Sequence, residues 1–150
     1  MLLTSKVEKT YTVDEFIELG KSIGDVDYNK YAILSDRISV NDNYSIIVAL
    51  KNVIYDYEEE LKKLACTVEM TDDEFLKYKY KPKLLSYDLY GTVELYFIIL
   101  FLNNTCDIKE FNLQTIKLLK KESLMEFLEA VYNAESDYLN FNRTAINYQQ

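Results

Sequence analysis

The chain has 150 residues, a formal net charge of −8, and 49% hydrophobic residues with 14% aromatic. That length suits one domain with a real core, and so much apolar side chain argues against intrinsic disorder. The acidic balance repels phosphate backbones and anionic lipid, which bind clustered lysine and arginine, so no nucleic-acid partner is expected.

Thr12 followed by Val13, Asp14 and Glu15 has capping-box spacing, which predicts a first helix from about Val13 to Ile23 with Phe16, Ile17, Leu19 and Ile23 as its apolar positions. Gly24 and Asp25 would end it, and a short second helix is expected between Asp27 and Asp36. From Asn43, the residues Ile46, Ile47, Leu50, Val53, Ile54, Tyr57, Leu61 and Leu64 recur at three- and four-residue steps. They predict one long amphipathic helix. Glu58 with Lys62 and Glu59 with Lys63 would support its exposed face by about 0.2–0.5 kcal/mol per pair.

In Leu76-Lys77-Tyr78-Lys79-Tyr80-Lys81 apolar and charged residues alternate, which predicts a strand with its tyrosines on one face. Pro82 would close that strand and open a helix. Leu84, Leu85 and Leu89 form the apolar stripe of this helix, with Tyr87 and Tyr90 beside it. Gly91 is placed to take the left-handed conformation that closes the helix, and Thr92 to cap the next one. Val93 to Leu102 has Glu94 as its single polar residue, so it is expected at the centre of the core, stopped by Asn103 and Asn104. A returning strand is expected within Phe111 to Leu119. A final amphipathic helix from Lys121 to Tyr132 would turn Leu124, Phe127, Leu128, Val131 and Tyr132 inward. The asparagine-rich end, SDYLNFNRTAINYQQ, has no clear period and reads as an extended arm.

Chemistry-bearing groups are sparse. Cys66 and Cys106 are far apart with no histidine to complete a zinc set, and are read as two buried free thiols. Asp25 with Asp27, and Asp72 with Asp73 and Glu74, lack calcium-loop spacing and read as loop or helix-cap acids. No catalytic, cofactor or metal residue is assigned, and no enzyme is expected: there is no histidine base, no G-x-S-x-G elbow and no phosphate-cradling glycine loop. The N-terminus lacks the pattern of a secretory signal, so synthesis in the cytoplasm is expected. The apolar run Leu95 to Leu102 has eight residues, whereas a membrane span needs roughly twenty.

The stretch YKPKLLSYDLYGTVELYFIILFLNN, residues 80–104, combines a helix closing on Tyr-Gly with an acidic-Leu-aromatic-aromatic helix ending in Asn. It resembles the small baseplate wedge proteins of contractile-tailed bacteriophages, whose core is similar to LysM. The matching residues are Tyr80, Pro82, Leu85, Tyr90, Gly91, Glu94, Leu95, Tyr96, Phe97 and Asn103. The resemblance implies an α+β, mainly helical fold. The resemblance covers a LysM-like βααβ unit at 71–120, and the residue pattern outside it adds an N-terminal helical region at 1–70 and a C-terminal helix with extended arm at 121–150. It implies a virion protein of the tail baseplate, made in the host cytoplasm, that scaffolds other baseplate and tail proteins without a cofactor. The alternative is a LysM-like module that binds peptidoglycan or another glycan.

Tyrosine offers a large apolar face with one polar tip, which favours it at protein interfaces. Tyr78, Tyr80, Tyr87, Tyr90, Tyr138, Phe141 and Tyr148 are the candidate partner contacts, with packing inside the domain expected for Tyr90 and Tyr96. The acidic exterior would suit a basic neighbour.

Overall fold

A computed structural model describes residues 9–26, 51–52 and 54–148, with side chains described throughout these except at 135 and 138–148. The helix expected over 27–36 and the first turns of the long helix from Asn43 lie outside the described residues.

The architecture is mainly helical with a small antiparallel sheet, as the sequence predicts. The first helix, α1, is Val13–Leu19, started by Thr12, whose hydroxyl accepts from Glu15 N at 3.2 Å. It stops earlier than Ile23 because Gly20 takes the C-cap. Residues 51–52 and 54–56 are helical, but Tyr57 (φ −108°, ψ 31°) interrupts the long helix, and α2 follows as Glu58–Leu64. The Glu58–Lys62 pair forms at 2.9 Å. Leu64, expected inward, is 43% exposed.

The strand expected over Leu76–Lys81 is a helix instead. Here α3 spans Asp72–Tyr78. Thr71 accepts from Glu74 N at 3.2 Å, and the Glu74 carboxylate accepts from Thr71 N at 3.0 Å. That reciprocal capping box satisfies two donors which a helix start otherwise leaves unpaired. Phe75 and Tyr78, three residues apart, point inward, while Leu76 is 75% exposed. The alternating letters therefore lie on a helix whose buried face has period 3.6.

The strand that pairs with the returning chain is β1, Cys66–Glu69, which lies before the expected 71–120 unit. It runs antiparallel to β2, Thr115–Leu118, with Val68 opposite Ile116 and Cys66 opposite Leu118. Val68, Ile116 and Leu118 are buried. Tyr11 adds a parallel bridge to the outer edge of β1, donating to Thr67 O at 3.2 Å and accepting from Glu69 N at 2.8 Å.

Between the strands, α4 (Pro82–Tyr90) starts with Pro82 in its first turn and ends at Gly91 (φ 81°). A 3-10 turn at Val93–Leu95, capped by Thr92, leads into α5, Tyr96–Leu102. The chain direction turns by 120° between α4 and this unit. Three α-helices thus separate the strands where two were expected. A second 3-10 turn, Ile108–Glu110, precedes β2.

The last helix, α6, runs from Lys121 to Tyr148, so the extended arm is not formed. Asparagine and threonine are weak helix formers rather than breakers, and no glycine or proline follows Gly91 to interrupt the chain. Leu124, Phe127, Leu128 and Val131 are buried as predicted, joining Leu95, Ile98, Ile99 and Tyr90 in one core.

Candidate interaction surfaces

The residues that carry the family resemblance mostly build the fold. At the turn between α4 and α5, Gly91 adopts a left-handed φ that other residues reach only with strain. The Ser86 hydroxyl donates to Thr92 O at 2.6 Å, and Val26 N donates to Tyr90 O at 2.9 Å. The Tyr90 hydroxyl, fully buried, donates to Leu119 O at 2.7 Å. Burial holds its pKa well above the ordinary tyrosine value. Pro82, Leu85, Leu95 and Phe97 are also buried.

Asn103 has a task that spacing alone does not reveal. Its Nδ2 donates to Ile99 O at 2.7 Å and Lys117 O at 2.9 Å, while its Oδ1 accepts from Lys117 N at 2.7 Å. One amide caps α5 and occupies the free edge of β2 as a neighbouring strand would. Glu94 is exposed and Tyr96 is half-buried, with Lys83 Nζ lying 5.0 Å from the Tyr96 ring centre.

Glu74 is a joint between distant helices. Besides Thr71 N, its buried carboxylate accepts from Val13 N at 3.2 Å and Asp14 N at 2.8 Å, capping α1 from 60 residues away. Its reading as a helix-cap acid is therefore correct, but it caps two helices. Among the described residues no group of carboxylates and thiols converges on a metal position. Both cysteines are free thiols, but they are not buried as expected: Cys66 is half-buried and Cys106 is exposed.

The expected partner contacts divide sharply. Tyr78 is buried and donates to Asp88 Oδ2 at 2.7 Å, so its phenol serves the junction of α3 and α4 rather than a partner. Burial, reinforced by the hydrogen bond to Asp88, raises its pKa. Tyr80 and Tyr87 are 45% and 57% exposed, as a contact role requires. The side chains of Tyr138, Phe141 and Tyr148 lie outside the described ones.

Among the described residues, two accessible surfaces combine aromatic rings with lysines. At the corner between α3 and α4, Leu76, Tyr80 and Tyr87 are exposed, and Lys77, Lys79, Lys81 and Lys83 lie between them along the chain. Tyr80 has φ 60°, held by its N–H, which donates to Phe111 O at 2.7 Å. The second is a groove of about 430 Å³ between residues 51–62 and α5, lined by Lys51, Tyr55, Lys62, Phe97 and Phe101. Tyr55 packs edge-on to Phe101 at 4.9 Å, and Lys62 Nζ reaches Asn104 Oδ1 at 3.1 Å. Sequence reasoning missed this groove, although Lys51, Tyr55, Glu58 and Lys62 recur at three- and four-residue steps and so can share one side of a helical segment.

Both surfaces are suited to holding another protein: aromatic rings for apolar contact, lysines for orientation. No curated protein and no solved structure matches the chain. A family model described as Base plate wedge protein 53 matches residues 27–133, a span that includes the sheet, the Gly91 turn and both surfaces. The chain therefore belongs to the phage baseplate wedge family, whose members are structural components of the virion tail.

Proposed function

We propose that this chain is a scaffolding subunit of the baseplate wedge, working through protein contacts rather than catalysis and needing no cofactor. The match to the wedge family over 27–133 is the observation that carries this reading. The subunit is made in the host cytoplasm and joins other baseplate proteins through Tyr80, Tyr87 and the outer part of α6, with Tyr138, Phe141 and Tyr148 as anchors there. Antiparallel β1 and β2, with helices between them, support a LysM-like core in which α3 is an addition before the Pro82 helix. In this reading the core serves as a rigid block for assembly.

Truncation after Asn133 keeps Leu124, Phe127, Leu128 and Val131, so the shortened chain should fold and stay soluble. It should fail to enter baseplates when supplied to a phage lacking the full-length chain, as judged by composition of purified tails. Normal incorporation would remove the outer α6 from the contact set. Absence of the intact chain from tails would refute the wedge role itself.

A further inference from the structure

The corner between α3 and α4 departs from the rest of the molecule in charge. The chain is −8 overall, yet residues 77–83 hold four lysines and no acid. Lys77 is paired with Asp88 at 3.6 Å. Among the described residues, Lys79, Lys81 and Lys83 have no carboxylate partner. Lys79 lies 5.2 Å from the Tyr80 ring centre and 5.4 Å from that of Phe75, and Lys83 lies over Tyr96. Rings beneath ammonium groups keep the charges near the surface and leave them open to a carboxylate.

The backbone adds a second argument. Tyr80 has a left-handed φ of 60°, a conformation that costs a non-glycine residue free energy. Strain of this kind persists where surrounding structure enforces it, and it gathers at functional positions. Here the hydrogen bond to Phe111 O fixes the corner and leaves the phenol 45% exposed. Glycine would make the same corner without strain but would present no ring.

Resting on the wedge reading, we propose that this corner is a docking site for an acidic segment of a neighbouring baseplate protein, with Tyr80 as its apolar anchor. Lys79, Lys81 and Lys83 pair with its carboxylates. A few carboxylates on a peptide match three free lysines, whereas a nucleic acid would bring a dense phosphate array against a strongly acidic chain. Docking of a second copy would likewise bring together two bodies of charge −8.

Zero-length carbodiimide coupling of intact tails, followed by mass spectrometry, tests the assignment because it joins only amines and carboxylates in direct contact. The expected products link Lys79, Lys81 or Lys83 to aspartate or glutamate of a different tail protein. Links confined to this chain or to a second copy, or these lysines remaining open to acetylation in assembled tails, would overturn it. Combined Lys79→Glu, Lys81→Glu and Lys83→Glu substitutions should lower incorporation at least tenfold with an unchanged circular dichroism spectrum, while Lys→Arg at the same positions restores it. Normal incorporation of the reversed chain would refute the docking site and leave the wedge role standing, and a chain absent from tails even when unaltered would refute the wedge role. Tighter binding of purified chain to a single-stranded oligothymidine than to a poly-glutamate peptide of equal charge would assign the corner to nucleic acid instead.

Discussion

The turns on either side of α4 solve one problem in opposite ways. Both redirect the chain between helices through a residue of left-handed φ, Gly91 at 81° and Tyr80 at 60°. The glycine turn is sealed: Ser86, Tyr90 and Val26 engage its neighbours, and a Cβ on Gly91 would meet the Asp25 side chain at 2.3 Å. The tyrosine turn is open, with lysines around it and its ring partly in solvent. A turn that serves only the fold can use the residue of lowest strain. A turn that also presents a side chain cannot.

Substitution at Gly91 should have the largest effect. Gly91→Val forces a β-branched residue into a left-handed backbone and displaces Asp25, so we expect a loss of about 2–3 kcal/mol in denaturant unfolding. Glu74→Ala removes an acceptor for three backbone N–H groups on two helices and should cost about 2–3 kcal/mol. Tyr90→Phe leaves the buried Leu119 carbonyl unpaired and should cost about 1–2 kcal/mol near neutral pH.

Tyr90→Phe also sharpens the comparison at alkaline pH. Burial raises the pKa of Tyr90 in the folded chain above the ordinary tyrosine value of about 10, so above that pH the unfolded chain releases a proton that the folded chain retains. Stability from this group is intact below about pH 10 and falls as pH rises further. Tyr78 acts in the same direction, its pKa raised mainly by burial and then by Asp88. The Tyr90→Phe chain should therefore show a shallower alkaline loss in thermal unfolding than the unaltered chain.

Tyr80→Gly should alter stability least, by within about 1 kcal/mol, because relief of left-handed strain opposes the added freedom of glycine in the unfolded chain. Its incorporation into tails should nevertheless fall. A stability loss as large as that of Gly91→Val would show that the two turns have the same role.

Much of this was legible in local chemistry. Pro82, Gly91, Thr92 and Asn103 each have a conformational preference strong enough to fix a boundary, and each boundary is where the spacing predicts it. The region 76–81 misleads because two periodicities coincide: alternating lysines suggest a strand, while Thr71 and Glu74 specify a helix start. The cap prevails because it satisfies backbone donors, whereas the alternation only sorts side chains. The second partner of Glu74 was not legible, since nothing in residues 71–74 indicates that α1 will stand beside them. Glycine and proline mark ends well, so a stretch without either, such as residues 121–148, is hard to divide by inspection.

The amide of Asn103 and the backbone of Tyr11 have a consequence for growth of the particle. Together they occupy hydrogen-bonding positions on opposite margins of a ribbon that is two strands wide among the described residues. A visiting polypeptide finds no uninterrupted row of backbone groups there on which to lie as a further strand. A chain meeting this ribbon would have to be held by side-chain relief, like fitted stones, and mistaken polymerisation through the ribbon is discouraged in the same stroke.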